Sequence, residues 1–135
     1  MFALMAAARL YAYLSYDDAP GALRWLEALG FDVVRRQDGA NGEVLHSEVR
    51  LGDVVLMVAS NDAAYVRPPL VGRSTGQGLY LLVEEVDRFH ARAVDAGGRT
   101  VFPPEDTEWG TRRARVLDPE GVEWSFGTYE PGVAW

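Results

Sequence analysis

The sequence predicts an α+β domain made of two tandem copies of a β-α-β-β-β module. Three observations predict this fold class. Strand and helix patterns follow one another in the same order twice along the chain. The candidate helix start and the glycine after the helix are twelve residues apart in both copies, Asp18 to Gly30 and Glu85 to Gly97. Each copy ends in two short apolar strands joined by a tight turn.

The two copies also match residue by residue. When the helix starts are superposed, Leu14 aligns with Leu81 and Tyr13 with Tyr80. Two matching modules in 135 residues favour one domain with a single fold. We expect this domain to consist of a first module over residues 9–59, a linker over 60–77 and a second module over 78–129.

In the first module, an aromatic strand over residues 9–16 precedes a helix that Asp18 caps and Gly30 ends. Leucines at a spacing of three, Leu23, Leu26 and Leu29, predict the buried stripe of this helix. The strands that complete the module are predicted at 31–36, 44–51 and 54–59.

In the second module, the pattern predicts a strand over 79–83 and a helix over 85–96 that ends at two glycines. A strand over 99–102 and a loop over 103–110 come next. The last two strands, 112–117 and 122–128, form a hairpin across the turn sequence DPEG at residues 118–121.

The composition excludes several kinds of chemistry. The chain has no cysteine, so disulfides, thiolate nucleophiles and Cys-ligated zinc are excluded. All 13 of its Lys and Arg residues are arginines, so a Schiff-base lysine is excluded as well. A net charge of −7 argues against binding to nucleic acid, which requires a basic face. The same charge favours neutral or cationic small ligands through the long-range field.

The apolar opening, Met1 to Ala8, lacks the basic region of a signal peptide, and we interpret it as an N-terminal extension or as the run-in to the first strand. No apolar run approaches the roughly 18 residues of a membrane span. We therefore expect a cytoplasmic protein with no membrane partner.

Four segments carry a family resemblance: LEALGF at 26–31, VRLGDVVLMV at 49–58, VEEVDRFHARAVDAGG at 83–98 and DPEGVEWSF at 118–126. In this order and spacing they resemble the vicinal oxygen chelate superfamily. That superfamily includes glyoxalase I, extradiol dioxygenases, fosfomycin-resistance transferases and bleomycin-resistance proteins. The tail from Trp109 to Tyr129 is most similar to the metal-poor, bleomycin-resistance-like and PhnB-like branch. The resemblance implies curved sheets that enclose a U-shaped cavity.

In the glyoxalase-type members, the resemblance implies four metal ligands, His or Glu, on the first and fourth strands of each module. Here those positions fall on Tyr11, on Leu56 or Met57, on Gly78 or Leu79, and on Ser125. None of these residues is His, Asp or Glu, and a divalent cation needs several convergent N or O donors. We therefore expect neither a metal nor another cofactor.

Strand alternation then predicts what lines the cavity, if Ser125 faces it. Trp109, on a rim loop, is a candidate lid for a stacked ligand, and Arg112 or Arg113 is a candidate partner for an acidic ligand group or for Glu123. This lining is apolar and aromatic with a few polar groups, which suits a flat organic ligand. The predicted ligand-binding residues are Tyr11, Tyr13, Leu56, Val58, Tyr80, Leu82, Trp109, Arg112, Glu123 and Ser125.

The sequence thus favours a metal-independent homodimer that sequesters a hydrophobic or aromatic natural product or antibiotic. Two alternatives stay open. The first is an enzyme of the same fold: either an isomerase or lyase in which His46, with Glu48 on the same face of the third strand, acts as general base, or a residual metalloenzyme with an undetected metal. Leu45 and Ser47 fill the other face, so a solvent-facing strand explains the same pattern, and we favour that interpretation. The other alternative is a regulatory partner protein with a vestigial cavity.

Overall fold

The computed structural model describes residues 7–133, so most of the expected N-terminal extension lies outside the described residues. The first module contains β1 (Tyr13–Tyr16), α1 (Ala19–Leu29), β2 (Asp32–Asp38), β3 (Val44–Leu51) and β4 (Val54–Ser60). The second contains β5 (Gly78–Leu82), α2 (Val86–Asp95), β6 (Arg99–Asp106), β7 (Arg112–Leu117) and β8 (Glu123–Gly127). The predicted α+β class and the repeated β-α-β-β-β order are confirmed.

Each module forms one four-stranded sheet, and the two sheets have the same topology. The strand orders are β1-β4-β3-β2 and β5-β8-β7-β6. In each sheet the first and last strands of the module pair in parallel, and the remaining neighbours are antiparallel. A helix covers one face of each sheet, and we call the other side the open face.

The first helix forms where the sequence places its start and stop signals. The Asp18 carboxylate accepts a hydrogen bond from the Gly21 N–H at 3.0 Å, and Pro20 occupies the first turn, where no N–H partner is needed. Gly30 ends the helix with a φ of 115°, a left-handed conformation that favours glycine. The buried face of α1 includes Leu23, Leu26 and Leu29, as the spacing predicts.

The two modules share a core between their helices and sheets. The rings of Trp25 and Trp124 lie 5.5 Å apart, and both residues are almost fully buried. The Trp25 indole N–H donates to the Ala93 carbonyl at 2.9 Å, which joins α1 to α2. The Tyr16 hydroxyl donates to the buried Asp118 carboxylate at 2.6 Å, which joins β1 to the DPEG turn.

Strand β6 differs from the prediction, because it continues through Pro103 and Pro104 into the predicted loop. It is the edge strand of its sheet and has a neighbouring strand on one side only. Proline, which lacks an N–H donor, is tolerated in edge strands for this reason. The register shifts between Phe102 and Glu105, which is how the edge accommodates the two prolines. Strand β1 differs as well, since it begins at Tyr13 instead of residue 9.

The prediction that Leu56 and Val58 face the cavity is wrong. They are 5% and 0% exposed and belong to the core on the helix side of the first sheet. The register explains why: Leu56 lies opposite Val49, which is itself fully buried, and paired residues share a face. Met57, the next residue of β4, lies beside Tyr13 on the open face.

Candidate functional site

The open face of the second sheet carries the chemistry. In β8, Trp124 and Phe126 point into the core and are fully buried, so Glu123 and Ser125 point to the open face. Strand β5 runs parallel to β8 and places Tyr80 beside Ser125. Strand β7, on the other side of β8, places Arg115 beside Ser125. A tyrosine, a serine and an arginine therefore meet at the centre of this face.

A cleft of about 610 Å³ lies on this face, a volume within the range of small-molecule sites. Its floor is formed by β5, β6, β7 and β8, and its rim by the loop between β6 and β7. The lining residues are Tyr80, Phe102, Thr107, Trp109, Thr111, Arg112, Arg113, Arg115, Ser125 and Tyr129.

Arg112, at the rim, is held by two carboxylates. Its Nε and Nη2 donate to the two oxygens of Asp87 at 2.7 and 3.0 Å, and its Nη1 donates to Asp106 at 2.9 Å. These hydrogen bonds raise the pKa of Arg112 and lower the pKa of Asp87. Arg112 therefore ties α2 to the edge of the sheet. The expected pairing of Arg112 or Arg113 with Glu123 does not form, because Arg113 binds Glu105 at 3.1 Å.

Arg115 takes the place next to Ser125. Its Nε donates to the Ser125 hydroxyl at 3.0 Å and lies 3.6 Å from the Glu123 carboxylate. The guanidinium carbons of Arg113 and Arg115 lie 5.0 and 5.1 Å from the centre of the Phe102 ring, within cation–π distance. The ring and the two guanidinium groups are therefore neighbours in the cleft lining, and we call them the Phe102 patch.

Tyr80 closes one side of the cleft. Its hydroxyl donates to the Tyr129 carbonyl at 2.6 Å, and partial burial raises its pKa. The ring lies against Gly127, where the Cβ of any other residue would clash with it. Gly127 therefore allows the tyrosine to lie flat across the sheet.

Trp109 lies on the rim, and 75% of its surface is exposed. Its loop is held by the Thr107 hydroxyl, which hydrogen-bonds the Thr111 hydroxyl at 2.7 Å and accepts from the Trp109 N–H at 3.3 Å. The loop is thus fixed by its two threonines while the indole ring stays available for stacking.

The cleft brings together four of the predicted binding residues: Tyr80, Trp109, Arg112 and Ser125. Their role in binding stays a prediction. Glu123 and Leu82 share the open face but lie outside the cleft lining; Leu82 borders a neighbouring groove. Tyr11 and Tyr13 belong to the first module and are 46% and 77% exposed, away from this cleft.

His46 and Glu48 lie on the first sheet, and their side chains are in contact. His46 Nε2 and Glu48 Oε2 are 2.7 Å apart, with 41% and 32% of the two side chains exposed. The pair is partly solvated, in line with the interpretation that we favoured. It lies on a different sheet from the cleft at Ser125.

The residues at the implied metal positions do not fit a metal. Tyr11 and Ser125 are weak neutral donors, and Leu56 is buried in the core. Within residues 7–133, no three His, Cys, Asp or Glu side chains gather into a group able to hold an ion. We derive no step through a metal at this site.

Two residues that the sequence analysis missed, Phe102 and Arg115, carry much of the cleft's chemistry, together with Arg113, which it weighed as an alternative to Arg112. The two arginines had a signal. Ala114 and Val116 alternate with Arg113 and Arg115 and are fully buried, so both arginines must point away from the core. Phe102 carried no such signal, because the sequence does not show that β6 continues beyond it.

Comparisons with known proteins find a matching family and several similar proteins. Residues 9–126 match the model of the Glyoxalase/Bleomycin resistance protein/Dioxygenase superfamily. Uncharacterised proteins of Mycobacterium bovis and Mycobacterium tuberculosis are each 31% identical over 87% of this chain, which covers 81% and 72% of their lengths.

Among solved structures, TioX from Micromonospora sp. ML1 is similar with a TM-score of 0.70 and 30% identity, over 92% of this chain and all of TioX. A bleomycin-binding protein, solved in complex with bleomycin, has a TM-score of 0.61 and 21% identity, over 92% of this chain and all of that one. The latter identity supports likeness of fold alone. The resemblance drawn from the sequence is confirmed, and the chain belongs to the Glyoxalase/Bleomycin resistance protein/Dioxygenase superfamily.

Proposed function

We propose that this protein is a metal-independent binding protein that holds a hydrophobic or aromatic small molecule in the cleft on its second sheet. The observation that carries the proposal is the lining of the cleft. Two aromatic floor residues, Tyr80 and Phe102, lie below a rim tryptophan, Trp109, and polar contacts come from Ser125 and the arginines. Aromatic surfaces with a few placed polar groups are typical of sites for flat organic ligands.

The biological role that we propose is sequestration, in which binding alone keeps a natural product or antibiotic from its target. A protein of the same fold has been solved with bleomycin bound, which supports a drug-binding role for this architecture. Sequestration requires affinity and no bond-breaking step. A serine at position 125, where a metal ligand is implied in related enzymes, is therefore compatible with this role. A cytoplasmic location is part of this proposal.

We also propose a homodimer in which a second copy covers the open faces. Tyr13, Tyr80 and Leu82 leave 77%, 40% and 50% of their surfaces exposed on these faces. Clusters of exposed apolar side chains of this kind often mark interfaces. Covering the cleft would remove a bound ligand from water. Sedimentation of the purified protein at twice the chain mass is the expected result, and a monomer at micromolar concentration would contradict the dimer.

Titration of the purified protein with a panel of polycyclic aromatic compounds tests the proposal. Intrinsic tryptophan fluorescence reports on binding, because Trp109 lies at the rim. We expect at least one compound to bind with a Kd in the micromolar range, and Trp109→Ala to weaken it by about fivefold or more. Tyr65→Ala is the matched control, since Tyr65 is an exposed aromatic residue of the linker. Failure of every compound to bind below millimolar concentration would remove the proposal's main support.

A second candidate function is catalysis by the His46–Glu48 pair, which the contact of 2.7 Å favours. A carboxylate that holds an imidazole in one tautomer is a common arrangement for a general base. His46→Ala separates the two functions, because it should leave ligand binding within about twofold if the protein only binds. Metal analysis is the second check: a stoichiometric transition metal in the purified protein would contradict the metal-independent assignment.

A further inference from the structure

We propose that the cleft selects planar aromatic ligands that carry an acidic group, and that the Arg115 guanidinium binds that group. The inference rests on the proposed function, because it names the ligand class of the same cleft. It differs from what the net charge of −7 alone suggests, which is a neutral or cationic ligand.

The charged side chains that line the cleft favour an acidic ligand group. Its charged lining residues are Arg112, Arg113 and Arg115, and no carboxylate is among the lining residues. The chain is acidic, but its acidic side chains lie outside the lining. A ligand in this cleft would therefore contact guanidinium groups, while the carboxylates that pair with them, on Asp87, Asp106, Glu105 and Glu123, are not part of the lining.

The arginines of the lining differ in the hydrogen bonds that they already make. Arg112 already binds Asp87 and Asp106 through three hydrogen bonds, so its charge is neutralised locally. Arg115 makes one hydrogen bond through Nε, to the neutral Ser125 hydroxyl. Its two terminal nitrogens donate no hydrogen bond within the part of the chain that the structure describes. The carboxylate beside it, on Glu123, lies at 3.6 Å, beyond hydrogen-bonding distance.

The Phe102 ring places an aromatic surface next to the Arg115 guanidinium. The Phe102 ring contacts the guanidinium groups of both Arg113 and Arg115. A planar ligand stacked on this patch would place a substituent at its edge within reach of the Arg115 terminal nitrogens. Arginine presents a planar fork of N–H donors, which matches a carboxylate in two parallel hydrogen bonds.

The long-range field of the acidic body does not reverse this preference. At physiological ionic strength the screening length is about 8 Å, so distant surface carboxylates act weakly on a group inside the cleft. Arg115 would act at hydrogen-bond distance, and its side chain is only 37% exposed, which strengthens the interaction. The acidic body would slow association of an anion without preventing its binding.

The test uses three probes with the same ring system: pyrene-1-carboxylate, pyrene-1-carboxamide and pyrene-1-methylammonium. Their binding to the full chain is followed by fluorescence anisotropy at physiological ionic strength, where the field of the acidic body is screened. We expect the carboxylate to bind at least about tenfold more tightly than the amide, the usual effect of one charge-assisted hydrogen bond. The methylammonium probe should bind most weakly.

Two variants assign the effect to Arg115. Arg115→Gln should remove the tenfold preference for the carboxylate over the amide, and an unchanged circular dichroism spectrum verifies the fold of the variant. Glu123→Gln should act in the opposite direction and strengthen carboxylate binding, because it removes the competing negative charge at 3.6 Å. The control is Arg88→Gln, which makes the same charge change at an exposed ion pair of α2, away from the lining.

The outcomes separate this inference from the proposed function. Equal binding of the three probes, or tightest binding of the methylammonium probe, would overturn the inference and leave the proposed function standing. A preference for the carboxylate that survives Arg115→Gln would overturn the assignment to Arg115. Failure of all three probes to bind below millimolar concentration would count against both proposals.

Discussion

Asp118 is a buried carboxylate that accepts hydrogen bonds from four donors, one in the first module and three in the second. Its carboxylate accepts from the Tyr16 hydroxyl at 2.6 Å and from the Trp124 indole at 3.1 Å, and it accepts from the N–H groups of Glu120 and Val122 at 3.0 Å. Asp118 is 2% exposed, and its hydrogen bonds with Tyr16 and Trp124 are buried, so those two donors have no water as a ready substitute.

We predict that Asp118→Ala lowers the free energy of unfolding by about 3 kcal/mol, because it leaves buried donors unpaired. Urea denaturation followed by tryptophan fluorescence measures the change. Asp53→Ala is the control, since Asp53 lies exposed in the turn between β3 and β4. A loss below about 1 kcal/mol would show that the buried network contributes little.

Single residues also show where sequence reasoning was sufficient. Ser125 was placed on the open face correctly because its neighbours in β8, Trp124 and Phe126, are large and apolar while it is not. Leu56 was placed on the wrong face because β4, VVLMVAS, is apolar on both faces, and alternation then carries no information about orientation. The register with β3 decides the orientation, and register is a property of the folded sheet.

At the scale of elements, the DPEG turn of the second module caps the helix of the first. The Glu120 carboxylate accepts from the N–H groups of Asp17 and Asp18, both at 2.8 Å, just before α1 begins. Negative charge at a helix N-terminus is stabilising because it meets unpaired N–H groups and the positive end of the helix dipole.

We predict that Glu120→Ala lowers the free energy of unfolding by about 1 kcal/mol, the usual size of a capping interaction. The loss should shrink at high salt, since the contact is exposed. Chemical denaturation at two salt concentrations measures both effects. Glu130→Ala, at an exposed site after β8, is the matched control. An unchanged stability would mean that the turn does not support α1.

The order of the elements was predictable from the sequence, because caps, glycines and apolar periodicity recur in both modules. The cleft was predictable only in part. Strand β6 extends past Pro103 and Pro104 because it lies at a sheet edge, and no local pattern reveals an edge position. Phe102, the last residue of the predicted strand, pairs with Arg115, and the extension beyond the prolines pairs Glu105 with Arg113 and Asp106 with Arg112.

At the scale of the whole molecule, the tyrosines determine how the stability of the chain depends on pH in the alkaline range. The sequence has no lysine and no cysteine, so tyrosines are the side chains that titrate near pH 10. Burial and the hydrogen bond to Asp118 raise the pKa of Tyr16 far above its ordinary value. A raised pKa in the folded state gives stability that is fully present below the unfolded pKa of about 10 and is lost as pH rises above it.

We predict that the free energy of unfolding falls between pH 10 and 11 by about 1 kcal/mol from Tyr16 alone, because the unfolded chain releases this proton and the folded chain retains it. Urea midpoints measured from pH 7 to 11 show the slope. Tyr16→Phe should flatten that slope, although it also removes one hydrogen bond at neutral pH. Tyr65→Phe, at a residue 88% exposed, should leave the slope unchanged. An equal slope in all three proteins would contradict the assignment to Tyr16.

Within residues 7–133, no helix is long and apolar enough to cross a membrane. The described fold instead exposes two sheet faces, one of which carries the cleft at Ser125. The central claim about the molecule is that this cleft binds an aromatic ligand without a metal.

The most direct test of that claim is amide chemical-shift mapping of EDTA-treated, ¹⁵N-labelled protein during titration with pyrene-1-carboxylate. We predict saturable shifts that cluster on Tyr80, Phe102, Trp109, Arg115 and Ser125, and that do not change when zinc or manganese is added. Shifts confined to the first sheet around Tyr13 and His46, or shifts that occur only after a metal is added, would contradict the claim.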